Sequence, residues 1–209
     1  MKGILGLLRQ NAPSEAASAS PDSKLFATTF IATGTDPELL VPWEARAVEV
    51  GATRIDPARG TRLLQALWAK DKQMSKLDMD AVSRMEPFLD YATVAAGREL
   101  IRQDEHSNFM LVLLSGSIAV DRLQPWGERM RMSEAVPGGI LGEMSLLDGG
   151  IRFSSCTSLK ESEIAVLSAT ALDEMMNADP ALTAGLVTVL ARKLSLRLRG
   201  VSARLNDKK

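Results

Sequence analysis

Histidine occurs once in this chain of 209 residues, as His106, and cysteine once, as Cys156. A lone imidazole excludes His-rich metal clusters and leaves little material for a catalytic triad. A lone thiol excludes an intrachain disulfide and Cys-rich zinc sites, and it suits a reducing, cytoplasmic setting. Aromatic residues are few (five Phe, three Trp, one Tyr), so the core must be mostly aliphatic. An excess of one charge is also lacking: 25 Lys and Arg stand against 26 Asp and Glu, a net charge of −1. That balance gives no whole-chain case for nucleic acid or an anionic membrane. No apolar run approaches the roughly 20 residues of a spanning helix. The opening run from Ile4 to Leu8 is too short for a signal sequence. Leu5, Leu7 and Leu8 read as a frayed terminus, with a small docking or membrane-touching helix as the alternative. What is left is a soluble, aliphatic chain built to bind something.

Residues 12–24, rich in Ala, Ser and Pro, have the composition of a flexible linker. Short apolar pieces punctuated by Pro37, Pro42 and Pro57 follow, and they carry no clear period. Residues 1–60 are therefore taken as an N-terminal extension, partly flexible. Helical spacing begins with Leu63, Leu64, Leu67 and Trp68 behind Thr61 as N-cap. A second helix is expected from Asp78 through Met79, Val82 and Met85, ending before Pro87. The period then changes. Val94, Leu100-Ile101, Phe109 to Leu114, Ile118 to Val120, Ser154 to Ser158 and Ile164 to Leu167 are short apolar runs separated by turn residues. Such a pattern predicts a small antiparallel β-barrel or jelly roll over 90–168. Helices return at 170–205, the last opened by Asp179-Pro180 and carrying Leu182, Leu186, Leu190, Leu194, Leu198, Val201 and Leu205. The expectation is a mainly β domain over 61–209, with helices at 61–86, a barrel at 90–168 and a long C-terminal helix. That apolar stripe exceeds what one small barrel needs, which predicts a partner helix, most simply that of a second copy.

The segment with chemistry runs from Gly138 to Ser155: Gly-Gly-Ile-Leu-Gly-Glu-Met-Ser-Leu-Leu-Asp-Gly-Gly-Ile-Arg-Phe-Ser-Ser. A glycine-rich turn leads into a short helical stretch near Glu143, whose free N–H groups favour an anion. Gly142 permits close approach of a ligand to the backbone, Ser145 leaves room, and Arg152 can pair with two phosphate oxygens at once. Glu143 beside a phosphate makes sense as an acceptor for a ribose hydroxyl. Without further context, Glu143 and Arg152 would be read as a surface ion pair.

This segment resembles the phosphate-binding cassette of cyclic-nucleotide-binding domains, as in the catabolite activator protein and the protein kinase A regulatory subunits. Their Gly-Glu-Leu-Ala-Leu, short gap, Arg-Ala-Ala or Arg-Ser-Ala is matched by Gly142-Glu143-Met144-Ser145-Leu146 and Arg152 at the same spacing. Ala96 to Gln103 resembles the strand before the family's Gly-Glu turn, and Phe109 to Val120 its aromatic-x-x-Val-x-x-Gly-x-Val segment. Asp179-Pro180 and Ala191 to Leu194 fit its closing helices, so the likeness covers about 130 residues.

The resemblance implies a non-enzymatic regulatory protein whose ligand is cyclic AMP or cyclic GMP. Gly142, Ser145 and the backbone after Arg152, at Phe153 and Ser154, would surround the cyclic phosphate, Arg152 would neutralise it, Glu143 would hold the 2′-hydroxyl, and Met144 would belong to the same ligand-binding set. Arg197 falls where the catabolite activator contacts the base. Capture of the phosphate would pull the cassette inward and reposition the last helix. The alternative is a fold that has lost its ligand and serves as an interaction or scaffold module. The sequence departs from the pattern in three places: Asp104 replaces a turn glycine, Phe153 replaces Ser or Ala, and the pair Arg197-Leu198 replaces Thr-Ser. No room remains after the last helix for a helix-turn-helix domain, so the output is expected through a protein partner, dimerisation or residues 1–75. Residues 180–209 hold seven Lys or Arg against one Asp, yet basic residues also suit a solvated helix end, and DNA is not favoured. His106 reads as a solvated loop residue, Cys156 as buried and inert, and Trp126 as the tip of a turn.

Overall fold

The computed structural model describes residues 24–77 and 80–206. The expected linker at 12–24 lies outside the described residues except for Lys24, and the Leu5, Leu7 and Leu8 segment and the helix start at Asp78 and Met79 lie outside them entirely. In chain order the elements are α1 (Leu25–Ala32), β1 (Leu40–Val41), α2 (Trp43–Val50), β2 (Thr53–Arg54), α3 (Pro57–Trp68) and α4 (Ala81–Met85). Then come β3 (Asp90–Val94), β4 (Glu99–Ile101), β5 (His106–Ser107), β6 (Phe109–Ser115), β7 (Ile118–Leu123), β8 (Arg129–Ala135) and β9 (Ile140–Leu141). The chain closes with α5 (Glu143–Asp148), β10 (Ser155–Ser158), β11 (Ser162–Ser168), α6 (Ala169–Ala178) and α7 (Pro180–Asn206).

The strands form a four-stranded sheet, β4-β10-β7-β8, and a five-stranded sheet, β2-β3-β11-β6-β9, with β1 and β5 as a separate parallel pair. The expected mainly β core with flanking helices and a long C-terminal helix is present, and it takes the jelly-roll form: the sheets stay separate instead of closing into a barrel. The apolar runs gave the strand positions because β6 and β11 are buried on both faces. The longest of the strands absent from the sequence reading is β8, an edge strand whose residues are nearly all exposed, so it has no buried face to create an alternation.

One helix differs from expectation in where it starts. α3 begins at Pro57, with the Asp56 carboxylate accepting from the Ala58 N–H as its cap. Thr61 lies inside that helix, where its hydroxyl meets the Tyr91 hydroxyl at 2.9 Å. Gly60 is required beside it, since a Cβ there would sit 2.2 Å from the Tyr91 ring. α4 ends at Met85, before Pro87 as expected, and Pro87 sits within a 3-10 turn over Glu86–Phe88.

Two apolar clusters hold the molecule together. One gathers Leu64, Trp68, Met85, Leu172, Leu186 and Leu190 under the helices. The other lies between the sheets, and it includes Ile101, Phe109, Leu141 and Cys156 together with Trp43 and Val50 of α2. The residues before α3 are therefore packed onto the roll. Trp43 meets the Phe109 ring edge-on at 5.5 Å between centroids. At the other side, α1 buries Phe26 and Phe30, and Asp173 of α6 accepts from the Phe26 and Ala27 N–H groups at 2.8 Å each.

That carboxylate caps the positive end of α1 from 147 residues away in sequence. Replacing Asp173 by Ala should cost about 2 kcal/mol of stability and speed proteolysis within residues 24–35. Denaturant unfolding with limited proteolysis reads both, and unchanged cleavage would show that α1 is held by its apolar face alone.

Candidate functional site

The segment from Gly138 to Ser155 folds around one buried side chain. Arg152 is 1% exposed. Its Nε donates to the Ser107 hydroxyl at 2.6 Å, its Nη1 to the Gly142 carbonyl at 2.7 Å, and its Nη2 to the Phe109 carbonyl. The guanidinium also lies 5.0 Å from the Phe109 ring centroid. Backbone pairing fixes the loop: the Arg152 N–H donates to the Glu105 carbonyl and the Asp104 N–H to the Arg152 carbonyl, both at 2.9 Å. Asp104 has φ +62°, and among the described residues it is the only non-glycine with positive φ. The turn thus demands the left-handed conformation that a glycine would supply, and Asp is one of the few side chains that tolerate it.

Gly142 has φ +79° at the start of α5. A Cβ there would lie 2.5 Å from Nη1 of Arg152 and 2.9 Å from Ile101 Cδ1. Glycine is needed at this position because the arginine itself occupies the space, a different reason from the ligand approach expected from sequence. Ser145 is buried, and its hydroxyl donates to the Ile151 carbonyl at 3.3 Å, tying the first turn of α5 to the returning loop. Glu143 is 5% exposed, and its Oε1 accepts from Nη1 of Arg197 at 2.7 Å. Arg197 of α7, placed by resemblance over a base, is thus held by the residue expected to take a ribose hydroxyl.

Met144 is exposed. Phe153 is 51% exposed; its ring lies under the Arg122 guanidinium, 3.8 Å from ring centroid to Cζ, and its carbonyl accepts from Arg122. Its bulk therefore does not fill the roll. Ser154 is half-buried on the loop into β10. Gly142, Glu143, Ser145, Arg152 and Arg197 are brought together, while Met144 and Phe153 face outward.

Electrostatics single out Arg152. Burial pulls its pKa down to about 10, with Glu105 and Glu143 among the charges that oppose the shift, so it stays cationic at neutral pH. Both carboxylates are engaged elsewhere: Glu143 by Arg197, and Glu105 by Arg46 of α2, whose Nη2 donates to both Glu105 oxygens. Among the described residues no carboxylate pairs directly with Arg152, and its three acceptors are neutral. The contributions of Arg46, Glu105, Ser107 and the Phe109 carbonyl were not read from sequence. Arg46 carries no local motif, and the other three lie in a turn and strand chosen by the fold. Cys156 is buried, and burial pushes its thiol up to about 12, consistent with an inert side chain. His106 shares a hydrogen bond with the Thr35 hydroxyl through Nδ1 at 3.1 Å within β5, so it is not a solvated loop residue. Trp126 is exposed at the β7–β8 turn, its indole N–H donating to Glu128.

Three cavities of about 390, 340 and 290 Å³ are lined elsewhere, and neither Arg152 nor Glu143 borders any of them. No group of three or more His, Cys, Asp or Glu side chains among the described residues is placed to hold a metal ion. No described helix is long and apolar enough to cross a membrane.

Residues 92–179 match the family model for the cyclic nucleotide-binding domain. The chain is 24% identical over 218 residues to Neuropathy target esterase sws of Drosophila grimshawi, a match covering 97% of this chain and 15% of that protein. It is 25% identical over 118 residues to the CRP-like cAMP-activated global transcriptional regulator of Mycobacterium tuberculosis, covering 56% of this chain and 53% of that one. The chain therefore corresponds to a small part of the esterase and about half of the regulator. A cyclic nucleotide-binding domain from Methylobacillus flagellatus superposes with a TM-score of 0.67 at 22% identity, over 76% of this chain and 89% of that one. Residues 92–179, somewhat less than half of the chain, are thus similar to the cyclic nucleotide-binding family.

Proposed function

We propose that the segment 142–155 binds a cyclic nucleotide, cyclic AMP or cyclic GMP, and that the domain is a non-enzymatic regulatory module. The observation that carries this reading is Arg152, a buried cation whose neighbouring carboxylates are both paired with other arginines. A buried charge without a counter-ion is costly, and an incoming phosphate supplies one. Binding would trade the Gly142 and Phe109 carbonyl acceptors of Arg152 for phosphate oxygens, with charge-assisted, two-pronged bonds in exchange for neutral ones. Glu143 would accept from the ribose 2′-hydroxyl, and Ser145 would line the phosphate. The name of the mycobacterial relative, which describes it as cAMP-activated, supports the same ligand class.

Signalling would follow from competition at Glu143. A ribose hydroxyl bound there displaces Arg197, which frees α7 from the cassette and shifts the population of its positions. The second reading, a ligand-free interaction module, is favoured by one observation: the inward-facing donors of Arg152 are already satisfied by protein acceptors.

Calorimetric titration with cyclic AMP and with cyclic GMP separates the two. Submillimolar binding by the wild type, weakened about 10- to 100-fold in Arg152→Lys, supports the sensor. A folded wild type that binds neither at millimolar concentration establishes the ligand-free module. Lys is the useful replacement because it keeps the charge and removes the planar fork.

Past Leu190, the last buried residue of α7 up to residue 203, Leu196, Leu198 and Val201 are exposed, Leu198 at 67%. Pairing with the same segment of a second copy would cover them. Sedimentation at micromolar concentration should give a dimer for the wild type and a monomer for Leu198→Glu. A monomeric wild type would assign these side chains to another protein partner. The reducing, cytoplasmic setting proposed for the chain rests on its single, buried Cys156.

A further inference from the structure

We propose that Arg46 is a positioning residue of the anion site: by holding Glu105, it keeps that carboxylate from neutralising Arg152. The inference rests on the cassette being an anion site, and it extends that site to a residue of the N-terminal helix α2.

The geometry starts at β5. The Glu105 carbonyl accepts from the Arg152 N–H, and Ser107 accepts from its guanidinium, so residues 105–107 form one wall around Arg152. The Glu105 side chain is only 13% exposed, so it needs a partner within the protein. Arg46 is fully buried and meets that need with Nη2 on both Glu105 oxygens, while its Nη1 takes Glu49. Arg102 approaches Glu105 to 3.6 Å, but it is half exposed and already bonded to Glu49 and Glu99. Arg46 is therefore the buried counter-ion of Glu105.

α2 is delivered to this place by pairing of β1 with β5, Leu40 opposite His106 and Val41 opposite Ser107, and is anchored by Trp43 on Phe109. The Arg46 Nε has no acceptor although it is buried, a cost that packing alone does not explain. With Arg46 removed, the charge left on Glu105 has Arg152 as its buried neighbour, and a carboxylate bound there would compete with a phosphate.

The test is a double-mutant cycle on the full chain, with cyclic AMP and cyclic GMP as ligands. Arg46→Met should weaken binding about 10-fold, and Arg46→Met/Glu105→Gln should restore it to within about 3-fold of the wild type. A purely structural Arg46 predicts no rescue, because the double variant still lacks the side chain. Weak binding by the folded double variant, or full binding by Arg46→Met, overturns the proposal. If Arg46→Met does not fold, the double variant alone decides, since both buried charges are gone. A ligand-free readout keeps the two readings apart. The Arg152 side-chain Nε resonance, assigned by its loss in Arg152→Lys, should shift in Arg46→Met and return in the double variant. If the wild type binds neither nucleotide, the sensor reading fails, and the resonance alone then supports or overturns the role of Arg46: an unshifted signal in Arg46→Met overturns it.

Discussion

A guanidinium taken out of water organises the space around it, and most of what is particular about this molecule follows from burying Arg152. Its hydration must be replaced, and the replacements are one hydroxyl and two backbone carbonyls. Those acceptors come from β5, from the first residue of β6 and from the turn before α5, so three separate stretches are held at hydrogen-bond distance of one side chain. The backbone at Gly142 can pass only because no Cβ stands there. The left-handed turn at Asp104 brings its N–H to the Arg152 carbonyl. Neutral acceptors replace solvation without cancelling charge, which leaves the site cationic.

The charges that could have cancelled it are held by the two ends of the chain. Glu105 is taken by Arg46, ahead of the β core, and Glu143 by Arg197, behind it. Neither arginine lies within residues 92–179, the span matched by the family model. The electrostatics of the cassette thus belong to a larger unit than the matched domain, one that includes α2 and α7. Packing agrees with this, since Trp43 and Val50 share the cluster between the sheets and α1 is capped by Asp173 of α6.

Strand positions were legible because β6 and β11 are buried on both faces and read as continuous apolar runs. The cassette was legible because glycine, acid and arginine stand at fixed separations along one stretch of chain. β8 was not, because its residues face solvent and obey no alternation. Residues 25–56 gave no period, since their elements are short and the two helices bury only two or three side chains each. Long-range pairs were out of reach for a simpler reason. Nothing near Arg46 in sequence names Glu105, 59 residues on, as its partner, and Arg197 sits on a helix face whose neighbours depend on how α7 lies across α5. The reason for Gly142 was also invisible. Sequence shows that a glycine is there, and only the fold shows which atom fills the space it leaves.

The two arginines are attached to the protein very differently, and this bears on how occupancy of the cassette would be transmitted. Arg46 is fully buried, on a helix pinned by Trp43 and by strand pairing. Arg197 is more than half exposed and lies seven residues past Leu190, a buried side chain of α7. At a rise of about 1.5 Å per residue, that is about 10 Å of helix held to the cassette through Glu143. Breaking the Glu143–Arg197 bond leaves the anchored half of α7 in the helical core, where Leu182, Leu186, Val189 and Leu190 pack. If a ligand displaced Arg197, the motion released would be confined to the segment after residue 190, the same segment that carries the exposed Leu196, Leu198 and Val201. Input and output would then meet on one stretch of helix, while the N-terminal arginine would stay in place and set the charge that a ligand meets.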